Sequence, residues 1–313
     1  MAAWAETEIV LAADLGSGID DPRASAPDLL RRALAALPER ARAGGRVAAR
    51  MDAGYFAGQA ARAAHDEHIF FAIGAKRIAP LWRLLDGIGE GGWHDAIEMD
   101  GAQVAVADYR SDWWPANTTL MIRRVRLDPG QVSADLRSLR RRTLHPGQHV
   151  LPITGLAGAD AIYGYSFILT NLDVSSPDKA AAAEHWYRHR TTIENIFRDS
   201  KHGVALRHGY AQVNTAWMWG ALLAASMAGW LHQLTAATRG QTILAGHGVR
   251  GGKAMIEILR WRLIAVPGRL VRHAGQLAMI NSRYEVVQGP GRTGSNTDLE
   301  PNCVNISSRI EDA

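Results

Sequence analysis

Near the start of the chain, the spacing of apolar positions alternates between the pattern of a strand and the pattern of a helix. Short apolar runs at 8–15, 46–52 and 69–74 predict strands, and the small residues of the second run favour a buried parallel strand. Helical spacing of apolar residues at 27–38 and 58–66 predicts a helix after each of the first two strands. This alternation predicts an α/β sheet, in which ligands gather at the carboxyl ends of strands.

Asp52 ends the second predicted strand, so its carboxylate should lie at the ligand-binding edge of such a sheet. A carboxylate in that place can bind a metal ion. An aspartate followed two residues later by a glycine, as Asp52 is by Gly54, also commonly caps a turn. The pattern alone leaves both interpretations open.

The middle of the chain has a different pattern, in which apolar and polar residues alternate singly. The runs at 103–109, 118–127 and 163–172 predict antiparallel strands and therefore a β-rich segment. A later apolar run at 216–231 predicts a buried helix, since it is shorter than the roughly 18 to 20 residues that a membrane span needs. We therefore expect no association with a membrane.

Four polar side chains share one predicted helix face in the stretch 186–201. Tyr187, Arg190, Glu194 and Lys201 are separated by two, three and six residues, steps that return to one side of a helix. The carboxylate on that face can bind a divalent cation while the guanidinium and ammonium groups hold phosphate oxygens. The pattern predicts a metal beside a phosphate, and the alternative is an amphipathic helix with a solvated charged edge.

The distribution of charge is compatible with a surface that binds phosphates. The 313 residues carry a formal charge of +4, and the sequence pI is about 9.4. Arginines cluster at 123–126, 137–142 and 260–272, as contacts with nucleic acid require, although solvated basic faces have the same composition. A hydrophobic content of 47% allows a sizeable core in one large domain or two ordinary ones.

Cysteine usage and the first residues indicate the compartment. The single cysteine, Cys303, rules out an intramolecular disulfide framework and a cysteine-based zinc finger, and it fits a reducing cytoplasm. Residues 1–8 carry neither the basic region nor the apolar region of a signal peptide. We therefore expect a cytoplasmic protein.

The spacing of the four polar side chains resembles the signature of bacterial insertion-sequence transposases of the Asp-Asp-Glu class, in which Tyr, Arg, Glu and Lys follow at these intervals. Gly203, His208 and Asn214, the last in an apolar helix, are similar to the 1380-type insertion sequences. The segment 52–56 looks like the family's second catalytic aspartate and the turn after it. The resemblance covers roughly residues 2–278.

The resemblance implies a DNA transposase that binds the inverted-repeat ends of its element and joins them to target DNA by two-metal phosphoryl transfer. It implies a ribonuclease-H-like α/β core interrupted by a β-rich insertion domain. Metal binding and catalysis are assigned to Asp52 and Glu194, with two Mg²⁺ ions in the intact family. Tyr187, Arg190 and Lys201 are assigned to phosphate contacts. Expected partners are DNA and either a second copy of the chain or a full-length transposase, in association with the nucleoid.

The start of the chain departs from the family's pattern. One strand precedes the helix before Asp52, whereas the family has three and carries its first catalytic aspartate on the first of them. We therefore expect an incomplete core, N-terminally truncated, without this aspartate and with impaired catalysis. Asp14, on the strand that is present, should lie away from the metal pair and should not substitute for it.

Two other functions agree with parts of the sequence. A non-catalytic DNA-binding or dimerising fragment that inhibits a full-length transposase needs no third carboxylate. An unrelated nuclease that shares the ribonuclease-H-like core needs none of the transposase-specific features. Solubility and DNA binding of the chain would favour the inhibitor, because a core that lacks central strands and has no role should aggregate.

The expected organisation has four parts. A partial core with Asp52 occupies 1–77, the insertion domain 78–177, and the helical remainder of the core with Glu194 occupies 178–278. The tail at 279–313 is rich in Asn, Ser, Gly and Pro in its first half, a composition that favours disorder.

Two further segments suggest contacts with nucleic acid or phosphate. The adjacent Trp113 and Trp114 suit stacking on unpaired bases, but tryptophans also simply pack. The glycine-rich loop at 246–253 is not a phosphate loop of the Walker type. Its spacing is wrong, and Ala254 stands where Ser or Thr is needed.

Overall fold

A computed structural model describes residues 1–15, 21–43, 47–127, 162–189, 191–198, 200, 214–239, 256, 268–273 and 276–281. The strands are β1 (Ala2–Trp4), β2 (Ile9–Ala12), β3 (Ala48–Met51), β4 (Phe70–Ala75), β5 (His94–Asp95), β6 (Ala102–Asp108), β7 (Thr119–Leu127), β8 (Ile162–Thr170), β9 (Gly268–His273) and β10 (Gln276–Asn281). The helices are α1 (Pro22–Ala36), α2 (Glu39–Ala43), α3 (Gly58–Asp66), α4 (Ala79–Asp86), α5 (Pro177–Arg188), α6 (Thr191–Arg198) and α7 (Asn214–Arg239).

Six of these strands form one mixed sheet in the order β3-β4-β8-β7-β6-β5. β3 and β4 are parallel, with Met51 opposite Ile73, and the remaining neighbours are antiparallel. β4 and β8 join the two predicted parts of the chain, since Ala72 pairs with Thr170 and Ala75 with Phe167. The predicted α/β class is confirmed, and the strands of the β-rich segment extend the same sheet that holds β3. The boundaries at 77 and 177 stay predictions.

Helices cover both faces of this sheet. On one face, Ala60, Ala61 and Ala64 of α3 are fully buried against the sheet, because their small side chains let the helix approach closely. Leu81 of α4 joins the same core, at about 1.5–3 kcal/mol for a buried side chain of its size. On the other face, α5 packs through another small residue, Ala183, and through the side chains that surround it.

Helix α1 begins at Pro22, five residues before the predicted start at Pro27, so that prediction is wrong. Asp21 caps the helix, because its side chain accepts a hydrogen bond from the N–H of Arg23 at 3.0 Å. Pro22 fills the first helical position, where the missing N–H costs nothing. A cap of this kind was available in the sequence, but the leucine periodicity that starts at Leu29 obscured it.

Helix α7 packs on the small antiparallel pair of β1 and β2. Its Met218 and Leu222 contact Ala13, and Ser226 Oγ accepts a hydrogen bond from the N–H of Val10 at 3.0 Å. A helix is therefore present where the run at 216–231 predicted one, and it is longer than expected. The prediction that this helix is buried is wrong, because Leu223, Met227 and Trp230 on its outer side are more than half exposed. In the part of the chain that is described, α7 and the other helices fall short of the length and apolarity needed to cross a bilayer.

Candidate functional site

Asp52 follows β3 directly and lies at the carboxyl end of that strand, as predicted. Its Oδ1 accepts a hydrogen bond from the N–H of Gly54 at 2.8 Å and so caps the 3₁₀ turn Ala53–Tyr55. A Cβ at position 54 would lie 2.9 Å from the same oxygen, which is why a glycine stands there. The side chain remains exposed, so the capping role and a ligand role are compatible.

Tyr187 connects the end of α5 to the strand that carries Asp52. Its ring is buried, and its hydroxyl donates a hydrogen bond to the carbonyl oxygen of Met51 at 3.1 Å. Gly74 makes this approach possible, because a Cβ there would lie 2.5 Å from the Tyr187 hydroxyl oxygen and 3.1 Å from the nitrogen of Ala53. The helix end and the strand end are therefore in direct contact beside Asp52.

Arg50 makes a second connection that the sequence analysis missed. Its Nη1 donates to the carbonyl oxygen of Trp186 at 2.7 Å, and its guanidinium lies 4.9 Å from the centre of the Trp186 ring. Burial lowers the pKa of this guanidinium below its usual value. The available signal was an arginine inside an otherwise apolar strand, which needs a nearby partner when it is buried.

The stretch that carries the four predicted polar residues is two helices, so the prediction of one continuous helix is wrong. α5 ends at Arg188, where the N–H of the capping residue His189 donates to the carbonyl oxygen of Tyr187, and α6 starts at Thr191. Thr191 opens a β-branched run, Thr-Thr-Ile, whose stiff side chains weaken helix propensity at this point.

Glu194 lies in the first turn of α6 and is exposed. Helix N-termini favour carboxylates, because the unpaired N–H groups carry partial positive charge. Arg190 and Lys201 lie outside the described residues. Among the predicted site residues, the structure places Tyr187 in contact with the strand end that carries Asp52, and it places Asp52 and Glu194 on the lining of one cavity.

Asp52 and Glu194 line one cavity of about 510 Å³. Its floor is formed by β3 and its walls by β1, α1, the end of α5 and the start of α6. Tyr55 lies on the same wall as Asp52, and burial, with the negative charges of Asp52 and Asp14 adding to it, raises the pKa of its phenol. The cavity thus combines an apolar interior with three carboxylates, because Glu6 lines it together with Asp52 and Glu194.

The donor set fits a hard divalent cation, because both groups offer carboxylate oxygen. Mg²⁺ commonly takes one or two carboxylates and completes its shell with water and substrate phosphates. Within the described residues, no group of three or more His, Cys, Asp or Glu side chains is placed to hold a metal ion. The described residues therefore do not form a complete site for two ions, and Asp52 and Glu194 offer carboxylate oxygens along one cavity.

Asp14 is engaged in an ion pair with Arg32. Both of its oxygens accept hydrogen bonds from Nη2 of Arg32, at 2.7 and 2.6 Å. The same arginine also binds Asp28 through Nε at 2.8 Å. The expectation that Asp14 does not serve as a metal ligand stays a prediction, and this ion pair is consistent with it.

The arginine cluster at 123–126 is largely not a phosphate-binding surface, contrary to one of its two interpretations. Arg123 donates to the fully buried Glu184 at 2.7 Å, on one face of the sheet. Arg124 points to the other face, where its guanidinium lies 4.2 Å from the Trp93 ring centre and 4.5 Å from that of Tyr163. Because successive residues of a strand point to opposite faces of the sheet, Arg123 and Arg124 pack on opposite sides of it.

The adjacent tryptophans differ from each other. Trp114 is buried and packs with Phe56, Phe71 and Tyr109, at ring-centre distances of 5.5, 6.4 and 6.0 Å. Trp113 is 73% exposed. Packing is therefore confirmed for Trp114, while base stacking stays a prediction for Trp113.

Several other predictions concern residues that the structure does not describe. The arginines at 137–142, the loop at 246–253, Cys303 and almost all of the tail at 279–313 are in this group. The arginines at 260–272 are described only from 268 onward, in the hairpin of β9 and β10. These predictions remain as stated.

Comparison with protein families places these observations in context. The model of the transposase DDE domain matches residues 2–227. That span is more than half of the chain and contains Asp52, Tyr187 and Glu194. A search of curated proteins returned no match.

Proposed function

Because the chain belongs to the family of the transposase DDE domain, we propose that Asp52 and Glu194 are its metal-binding carboxylates in DNA phosphoryl transfer. One observation carries the proposal: both line a single cavity at the carboxyl end of β3. The family uses divalent metal ions and acts on DNA ends. The finer assignment to 1380-type insertion sequences rests on Gly203, His208 and Asn214 after the spaced polar residues, and the choice of Mg²⁺ among the divalent ions rests on the family resemblance.

The residues around the cavity have separable roles in this proposal. Asp52 and Glu194 would hold the ion, which when bound supplies positive charge beside the phosphate that is cut. Arg190 and Lys201 are proposed phosphate contacts. Tyr187 has a single hydroxyl proton and donates it to the Met51 carbonyl, so in this arrangement it positions the strand end and cannot at the same time donate to a phosphate.

We further propose that the chain of residues 1–313 binds DNA but cleaves it weakly or not at all. The family's chemistry needs three carboxylates for two ions. Glu6 lines the cavity with Asp52 and Glu194, but among the described residues no three His, Cys, Asp or Glu side chains are grouped to hold a metal ion. Asp14, the nearest sequence candidate, is held by Arg32.

Metal binding and cleavage are tested separately. Mn²⁺ titration, followed by electron paramagnetic resonance, should show one site that Asp52→Asn and Glu194→Gln each weaken at least tenfold. Glu67→Gln, at an exposed carboxylate that pairs with Arg31 on the surface, is the matched control and should leave Mn²⁺ affinity unchanged. Equal Mn²⁺ binding by all variants would refute the assignment of the two carboxylates.

A plasmid that carries inverted repeats of the element tests catalysis. We expect no nicking above background in Mn²⁺, and DNA binding that falls steeply with salt because phosphate contacts release counterions. Mn²⁺-dependent nicking that Glu194→Gln abolishes would overturn the proposed impairment while supporting the site.

The alternative function is inhibition of a full-length transposase by a non-catalytic fragment. The observation that favours it is a well-packed fold whose described residues form no metal-binding group of three, since a defective site need not unfold the chain. Added to a full-length transposase of the same element, the chain should lower excision in proportion to its concentration. Asp52→Asn should inhibit equally well, because inhibition does not need the metal.

A further inference from the structure

Helix α7 has two contrasting faces. Its inner face is fixed by Met218, Leu222 and Ser226 against β2, and Gln233 Nε2 donates to the carbonyl oxygen of Glu6 at 3.0 Å. Its outer face carries an unusual amount of exposed apolar surface: Trp219 43%, Leu223 62%, Met227 57%, Trp230 55%, Leu231 38% and Leu234 49%. Contiguous apolar patches of this kind commonly mark a protein interface.

The outer face has the spacing of a helix-packing seam. Ala216, Gly220, Leu223, Met227, Trp230 and Leu234 follow one another in steps of four, three, four, three and four. These are the steps of a heptad repeat, which keeps one stripe facing a partner helix of the same pitch.

The stripe is complementary to itself when a second copy runs in the opposite direction. Centred between Leu223 and Met227, an antiparallel pair sets Ala216 opposite Leu234, Gly220 opposite Trp230, and Leu223 opposite Met227. Each small residue of the stripe then meets a large one, which is how packed layers interdigitate. Gly220 supports this pairing, because a Cβ at that position would meet nothing within 4 Å and the space above it is open.

We propose that α7 is a self-association surface, on which a second copy of this chain docks through its own α7 in antiparallel orientation. A two-fold axis at the middle of the stripe generates both halves of the contact from one surface. The exposed apolar side chains offer on the order of 600 Å² per copy, so the pair would bury about 1,200 Å², the lower end of the range for specific interfaces.

The absence of charged side chains on the stripe favours an apolar helix over DNA as its partner. From Asn214 to Thr238 the helix contains no Lys, Arg, Asp or Glu, so the stripe offers no cation to a phosphate. Flanking charges that would keep such a face in water are likewise missing from that segment. A second apolar helix would bury this surface. The α7 of a second copy is such a helix, and its small and large residues are complementary to those of the stripe.

Mass measurement by light scattering, without DNA or metal, is the first test. We expect the wild-type chain to be a dimer at micromolar concentration, and Leu223→Glu or Met227→Glu to be monomers with unchanged circular dichroism. Trp113→Glu, at an even more exposed apolar residue in the turn between β6 and β7, should remain a dimer. A monomeric wild type, or a dimer that survives both stripe substitutions, would overturn the proposal.

Disulfide trapping tests the orientation and does not depend on the charged variants folding. In a Cys303→Ser background, Ala216→Cys and Leu234→Cys would be made on separate chains, one of them tagged. Mixed chains should form a disulfide, whereas each variant alone should not, because like positions lie about 27 Å apart along an antiparallel pair. Efficient Ala216→Cys homodimers would refute the antiparallel arrangement. Both tests are independent of the catalytic proposal, since neither uses Asp52 or Glu194.

Discussion

Tyr187 donates its hydroxyl proton to the carbonyl oxygen of Met51 across 3.1 Å, although 136 residues separate the two in sequence. This hydrogen bond joins the end of α5 to the residue that precedes Asp52. The same hydrogen bond therefore fixes the strand end before Asp52 and the end of α5, after which α6 begins with Glu194 in its first turn. The position of Glu194 relative to Asp52 depends on it.

Removal of this anchor should loosen the site without unfolding the protein. Tyr187→Phe keeps the buried ring and removes one hydrogen bond, so we expect a loss of about 1 kcal/mol in the free energy of unfolding. Mn²⁺ affinity should fall as well, because the two carboxylates lose their common support. Thermal unfolding and Mn²⁺ titration measure the two effects, with Tyr109→Phe as control. Unchanged Mn²⁺ affinity would show that the anchor is structural only.

Gly74→Ala should destabilise the protein through a clash with Tyr187. Its Cβ would lie 2.5 Å from the hydroxyl oxygen, and overpacking of this kind costs about 1–3 kcal/mol. In a Tyr187→Phe background the cost should be clearly smaller, because the clashing oxygen is gone. A double-mutant cycle in urea measures the difference. Additive effects would mean that the close contact with Ala53 dominates instead.

Glu184→Gln should be the most damaging of these substitutions. The carboxylate is fully buried and accepts from Arg123 at 2.7 Å and from Arg188 at 3.3 Å. Removal of one member of a buried ion pair leaves uncompensated charge and costs about 3–5 kcal/mol. Urea unfolding measures the loss. Glu67→Gln, which breaks an ion pair with Arg31 in which both side chains are exposed, is the control and should change stability little. Similar losses of stability for Glu184→Gln and for the control would contradict the view that burial makes the ion pairs of Glu184 important.

Asp21 should make stability depend on pH in the acid range. A side-chain hydrogen bond from Arg23 lowers the pKa of Asp21 from 3.8 to about 2. Because the folded-state pKa lies below the unfolded one, the stabilisation is complete above pH 3.8 and is lost as pH falls towards 2. Asp21→Asn can still cap α1 but has no such dependence. The melting-temperature difference between the two proteins should therefore shrink over this range and in high salt. A constant difference would exclude the ion pair as its cause.

The sequence was sufficient to place β3, α3 and β4, because each has a strong local pattern and a glycine or proline near its ends. It also placed Asp52 at a strand end, since that inference needs only the order of strand and helix. The break before α6 was missed because the polar spacing of Tyr187 and Glu194 suits one helix as well as two.

Other features depend on partners that are distant in sequence. Arg123 and Arg124 look like a basic surface in a local window, but Glu184 lies 61 residues from the first and Trp93 stacks on the second. The requirement for a glycine at position 74 comes from the close approach of the Tyr187 hydroxyl, more than a hundred residues later in the sequence. No pattern within a window of ordinary length contains these relationships.

The pairing of β4 with β8 has a consequence for motion. β4 and β8 pair as antiparallel neighbours over Ala72–Ala75 and Phe167–Thr170. Strands from the predicted core and from the predicted insertion therefore share one hydrogen-bonded ladder. A hinge between the two segments would have to break that ladder, and the sheet should therefore move as a single rigid plate. Any opening of the cavity is then left to the α5–α6 junction, where the helix is already interrupted.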